Sequence, residues 1–285
     1  MSGRILITDD LASNRIVYRA RLAAAFYEPL LAADGEGCLR QAVEARPDLI
    51  LLDLNLPDLS GHEVLRRLRA DPRTRDIPVI MLTAAQDSAA RLEAFSAGAD
   101  DVIVKPAGDQ VLLARVRNLL RARPDADFAD SGAAGLAEPA TAFEPQATVA
   151  LVAGRSPQAL RLQRELAAQL RDRLVVLSRA EILAETGPAA AVVPDVLIVQ
   201  DEDGGALRLL SELKSRPATR HCAVCLIGLA ADGDEAAMAF DLGADDVVGP
   251  QVSAAELALR TRSLLRRKRQ GDRSRARIED GLRLA

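Results

Sequence analysis

Short, unbroken apolar runs alternate along the chain with longer stretches in which apolar residues return every three or four positions. In the first part the runs are Arg4–Thr8 (RILIT), Glu28–Ala33, Asp48–Asp53, Pro78–Thr83 and Asp101–Val104. Between and after them lie the amphipathic stretches Asn14–Ala25, Gly37–Ala45, Gly61–Ala70, Ala89–Ala97 and Gln110–Arg121. The runs have strand length and no period-2 polar alternation, and the stretches have helical period, so the pattern predicts five strand–helix units. Strands that are apolar on both faces and joined by crossover helices belong to a parallel sheet covered on both sides and wound right-handedly.

The pattern then repeats. PDLILLDLN at Pro47 returns as PDVLIVQDE at Pro194, 147 residues later, and GADDVIV at Gly98 returns as GADDVVG at Gly243, 145 residues later. LLARVRNLLRAR, ending at Arg123, is echoed by LALRTRSLLRRK, ending at Lys268. Three elements recurring in one order indicate a duplicated domain. Residues 124–146 are rich in Ala, Asp, Pro and Gly without apolar period and read as a linker. The expected organisation is a first domain over 1–123, a linker over 124–146, a second domain over 147–270 and a helical tail over 271–285.

Composition narrows the functional classes. Of the 285 residues 49% are hydrophobic but only 2% aromatic, so the cores must be aliphatic. A net charge of −4 gives no overall field to gather nucleic acid or an anionic membrane. No stretch approaches the ~20 apolar residues of a spanning helix, and the N-terminus has no apolar export signal. Three cysteines in a chain of this size argue for a reducing compartment, and the expected location is the cytoplasm.

In parallel sheets of this kind ligands sit beyond the carboxyl ends of the strands. The residues there are Asp9 and Asp10 after the first run, Asp53 ending the third, Thr83 ending the fourth and Lys105 after the fifth. Unit charges about 4 Å apart interact by roughly 4 kcal/mol at an effective dielectric of 20, so three clustered carboxylates call for a cation. Mg²⁺ suits an all-oxygen donor set that also receives phosphate oxygens. A carboxylate beside Mg²⁺ and an ammonium is placed to attack a phosphoryl group, which points to an acyl phosphate on Asp53.

These residues resemble the receiver domains of bacterial two-component response regulators: TDD before the first helix, Asp53 to Gly61 as DLNLPDLSG, Thr83 in MLTAA, and Lys105-Pro106. The resemblance implies two flavodoxin-like (CheY-like) α/β domains, each a five-stranded parallel sheet with helices on both faces. It implies that Asp9, Asp10, Asp53 and the backbone carbonyl of Asn55 bind Mg²⁺. Asp53 is then the phosphoacceptor, Thr83 and Lys105 bind the phosphoryl oxygens, and Lys105-Pro106 is a candidate cis bond. The implied partners are a sensor histidine kinase or phosphotransfer protein and, after phosphorylation, a second copy of the chain, with neither nucleic acid nor membrane. Val102 departs from the family, which usually carries an aromatic switch residue there.

In the second copy Ala153 and Gly154 replace the acidic pair, Gln200 the phosphoacceptor and Gly228 the threonine, and the lysine position falls at Gly249-Pro250. A neutral amide forms no acyl phosphate, and Asp201 lies one step along the strand, on its opposite face. The second copy therefore reads as a non-phosphorylatable adaptor. Tandem receivers followed by a basic helical extension resemble the N-terminal part of PleD-type diguanylate cyclases, whose GGDEF output domain has no counterpart up to Ala285. The alternatives are the regulatory fragment of such a cyclase or a stand-alone phosphate sink, and no catalytic output domain is expected within these residues.

Several other features read as structural. Cys222 and Cys225 lie three apart on a predicted strand, facing opposite ways, and suit the core better than a metal. His62 begins a predicted helix and is expected at the surface. The basic run from Arg266 to Arg269 reads as a solvated helical face rather than a nucleic-acid patch. Leu257, Thr261, Leu264 and Leu265, with Ile278 and Leu282 beyond them, have the spacing of a helix that pairs with a second copy.

Overall fold

A computed structural model of the chain describes residues 3–84, 88–106, 108–121, 146–154, 156–184, 193–202, 204–231 and 233–283. The chain folds into two compact units, each containing its own five-stranded sheet.

In the first, β1 (Arg4–Thr8), α1 (Ala12–Ala24), β2 (Glu28–Ala32), α2 (Gly35–Glu44), β3 (Leu49–Asp53), α3 (Gly61–Ala70), β4 (Val79–Thr83), α4 (Ser88–Ser96), β5 (Asp101–Val104) and α5 (Asp109–Arg121) follow in order. The strand order is β2-β1-β3-β4-β5 and every pairing is parallel. The expected elements are all present, with ends displaced by no more than two residues. Alternation within each strand explains the unbroken apolar runs. Leu6, Ile50, Leu52, Val79 and Met81 pack on one face with Cys38, Ala42, Val64, Leu65 and Leu68 of α2 and α3. Ile5, Ile7, Leu49, Leu51, Ile80 and Leu82 pack on the other with Tyr18, Leu22, Leu112, Val116 and Leu119 of α1 and α5. Each face is therefore buried under its own helices. Asp34 and Ser60 cap α2 and α3 by accepting from the Gly37 and Glu63 amides.

The second sheet is built along the chain from β6 (Thr148–Val152), β7 (Arg173–Leu177), β8 (Val196–Gln200), β9 (Ala223–Ile227) and β10 (Asp246–Val248), with α6 (Pro157–Gln169), the short α7 (Arg179–Ile182), α8 (Ala206–Ser215) and α9 (Asp234–Asp241) between successive strands. Its order, β7-β6-β8-β9-β10, repeats the topology of the first. The duplicated fold class read from the sequence is thus observed.

The expected linker lies outside the described residues except for Gln146. The last helix, α10 (Ala254–Arg283), runs unbroken through Gly271 and Gly281. One expectation is corrected there. Leu257, Thr261, Leu264 and Leu265 are at most 4% exposed. Their helical spacing reflects burial within the chain, and they are not free to pair with a second copy. Cys222 and Cys225 are buried and form no disulfide, as core packing requires. No described helix is long and apolar enough to cross a membrane.

Candidate phosphoacceptor site

The order of the first sheet puts β1 and β3 side by side at its centre, so their carboxyl ends open into one crevice. Asp9 follows β1 and is fully buried, Asp10 beside it is exposed, and Asp53, the last residue of β3, is 6% exposed. Each of the three offers an oxygen within 4.8 Å of the others, and among the described residues they are the one such trio of metal-ligating side chains. Three hard carboxylate donors with one solvent-facing member fit a divalent cation that prefers oxygen and keeps several waters.

Lys105, just beyond β5, reaches into the trio: its Nζ donates to Asp9 Oδ2 at 2.7 Å and pairs with Asp53 Oδ1 at 3.0 Å. Burial alone would lower the pKa of this ammonium, but its bonds to Asp9 and Asp53 outweigh burial and hold it above the ordinary lysine value. For Asp53, burial raises the carboxyl pKa more than the bond to Lys105 lowers it. Thr83, ending β4, is 4% exposed and lies next in line after Leu82, the residue paired with Asp53. The Lys105-Pro106 peptide is cis.

The loop from β3 to α3 is fixed tightly. Gly61 N donates to Leu54 O at 2.8 Å. A Cβ on Gly61 would lie 2.2 Å from the Asp53 carbonyl, so only glycine lets α3 begin this close to Asp53. Asp58 accepts from the Gly35 and Glu36 amides at 2.8 and 2.9 Å, tying the loop to the start of α2. Asn55, expected to contribute its carbonyl, lies in this loop two residues past Asp53.

The structure therefore brings together Asp9, Asp10, Asp53 and Lys105, with Thr83 at the adjoining strand end. Sequence reasoning passed over the residues that hold them. Asn14 Nδ2 donates to both oxygens of Asp9 at 3.1 and 3.0 Å, and Arg15 donates to the carbonyls of Asp9 and Asp10 at 2.6 and 2.9 Å. Their one signal was position: both fall in the first turns of the helix that follows the acidic pair. His62 corrects an expectation, because it is buried, with Nδ1 3.2 Å from Glu93 of α4. The first turn of α3 is drawn inward by the close approach at Gly61, and His62 goes with it. Val102 is likewise a buried core residue.

Residues 5–117 match the response regulator receiver domain family. That part of the chain is a response regulator receiver domain. The whole chain is 32% identical over 292 aligned residues to "Response regulator PleD" of Caulobacter vibrioides, covering 100% of this chain and 64% of PleD. The "DNA-binding dual master transcriptional regulator RpaA" of Synechocystis sp. is 46% identical over 118 residues, 41% of this chain and 49% of RpaA. A solved structure of a putative response regulator from Chloroflexus aurantiacus aligns at 36% identity, covering 42% of this chain and 99% of that one, with a TM-score of 0.42. The chain thus spans less than two thirds of the curated relatives it matches.

The equivalent edge of the second unit carries different chemistry. Pairing of β6 with β8 and of β8 with β9 places Ala153, Gly154, Gln200 and Gly228 at the positions of Asp9, Asp10, Asp53 and Thr83. The β9–β10 register places Pro250 opposite the position of Lys105. Glu202 folds back over Gly154: a Cβ there would lie 1.9 Å from Glu202 Oε2, while Oε1 accepts from Ser156 Oγ at 2.8 Å. The Oε1 of Gln200 is buried without a hydrogen-bond partner among the described residues.

Proposed function

We propose that the chain is a phosphorylation switch in which Asp53 accepts a phosphoryl group from a sensor histidine kinase or phosphotransfer protein. The observation that carries this reading is the convergence of Asp9, Asp10 and Asp53 within 4.8 Å, with Lys105 at 2.7 and 3.0 Å from two of them. An Asp53 oxygen attacks the phosphorus of a phosphohistidine, the P–N bond breaks, and the imidazole leaves with the electron pair. The product is an acyl phosphate. Asp9, Asp10, Asp53 and the Asn55 carbonyl would hold Mg²⁺, which would supply positive charge to offset the charge on the phosphoryl oxygens. Lys105 moves from its carboxylate partners to one phosphoryl oxygen, and the Thr83 hydroxyl donates to another.

The modification adds about −1.5 to −2 charges at the strand ends. In this reading the shifts of Thr83 and Lys105 repack the surface of the fourth and fifth units, roughly residues 89–121, and favour a homodimer. The second unit serves as an adaptor that takes no phosphate. A change from 1:99 to 99:1 needs about 5.5 kcal/mol of preference for the active state. The switch works in the cytoplasm and needs neither nucleic acid nor membrane. Analytical ultracentrifugation with Mg²⁺, with and without beryllium fluoride, tests the reading on the natural chain and on Asp53→Asn. A shift toward dimer in the natural chain alone supports it; no shift in either defeats the dimer output.

The 64% coverage of PleD favours a second reading, in which these residues are the regulatory part of a longer protein such as a diguanylate cyclase. Sequencing the gene past Ala285 separates the two.

A further inference from the structure

Asp9 is fully buried, and its carboxylate is held from three directions. Oδ1 accepts from Leu11 N at 2.9 Å, Oδ2 accepts from Lys105 Nζ at 2.7 Å, and Asn14 Nδ2 lies 3.1 Å from Oδ1 and 3.0 Å from Oδ2. The NH₂ end of the amide must be the end facing the carboxylate, since its oxygen would place three acceptors together. Of the side chains in this set, only Lys105 is flexible, and the reading above requires it to leave Asp9 for the phosphoryl group. Once it has gone, Asn14 is the one side chain among these partners that still spans both oxygens.

We propose that Asn14 is a positioning residue for Mg²⁺ binding, holding Asp9 turned toward Asp10 and Asp53 against the repulsion between them. The proposal rests on the function proposed above. Asn14 is suited to the role because it sits in the first turn of α1, and that turn is itself anchored. Arg15 donates to the carbonyls of Asp9 and Asp10, and its amide donates to Leu11 O at 3.2 Å. The clamp and the acidic pair are thus parts of one rigid corner. Without Asn14 a carboxylate placed beside two others gains by rotating away, and the site must spend binding energy to draw it back. Partners that orient metal ligands in this way typically contribute 10–100-fold to metal affinity.

The test is calorimetric titration of the full chain with MgCl₂, comparing the natural protein, Asn14→Leu, Asn14→Ala and Asp10→Asn, with metal-free melting to show that each is folded. Asn14→Leu keeps the shape and removes both donors; Asn14→Ala serves if the leucine disturbs packing. The expected result is a dissociation constant raised about tenfold or more in both Asn14 variants. A constant within threefold of the natural one overturns the proposal, even if the metal-free melting temperature falls, because Asn14 would then be merely structural. If the natural chain itself binds no Mg²⁺, or binds it as well with Asp10→Asn, the metal-site reading fails and takes this one with it.

Discussion

The two sheets share one topology, and what the second has kept differs sharply from what it has lost. In the first, Asp100 accepts from Arg69 at 2.7 Å and from Val79 N at 2.9 Å; in the second, Asp245 accepts from Lys214 at 3.1 Å and from Val224 N at 2.9 Å. Thr74 donates to Leu68 O as Thr219 does to Leu213 O, at 2.9 and 2.6 Å. Asp48 takes the Arg4 amide as Asp195 takes that of Thr148, and Gly98 and Gly243 both sit near φ +104 and +103. Each of these bonds satisfies a backbone group or closes a turn, so its loss would be felt by the fold. The carboxylates at the carboxyl ends of the strands each take a nearby backbone amide, Asp9 that of Leu11 and Asp53 that of Leu54, but they also crowd one another. Clustered carboxylates there repel one another, and the second copy carries Ala153, Gly154, Gln200 and Gly228 in their place.

The comparison can be broken most forcefully at Asp53 and its counterpart Gln200. Asp53→Asn should abolish acyl phosphate formation, while Gln200→Asp should create none, because the acidic pair and the lysine are absent around it. Intact-mass measurement after treatment with acetyl phosphate and Mg²⁺ checks both. At the level of packing the copies should behave alike: Leu51→Ala and Ile198→Ala, at matching positions and both fully buried, should each destabilise their own unit by about 2–5 kcal/mol in denaturant unfolding. Mg²⁺ should part them again, stabilising only the first unit by about 2.7 kcal/mol at a hundred times its dissociation constant, a gain that EDTA reverses. Smallest of all, Asp100→Ala and Asp245→Ala should each cost about 1–3 kcal/mol, with the more deeply buried Asp100 toward the upper end.

Most of the fold was legible in the apolar runs, because strands buried on both faces leave no polar alternation and helices leave a three- to four-residue one. The site was legible for a related reason: strand ends are marked in sequence by where a run stops, and Asp9, Asp10, Asp53, Thr83 and Lys105 each stand at such a stop. What escaped was whatever depends on the packing of separate elements. Asn14 and Asp58 look like ordinary polar residues of a helix start and a loop, and only the fold brings them to Asp9 and to the amides of α2. His62 was misplaced because burial at the first turn of α3 follows from the clearance at Gly61, which periodicity does not carry. The spacing of Leu257, Thr261, Leu264 and Leu265 was real, but it marks positions already buried within the chain.

The central claim is that one copy takes the phosphoryl group and the other cannot. Treating the natural chain with acetyl phosphate and Mg²⁺, reducing the acyl phosphate with borohydride and mapping the modified peptide by mass spectrometry addresses it directly. Modification at Asp53 and nowhere in residues 147–270 is the predicted result; modification within 147–270, or none at Asp53, would contradict it.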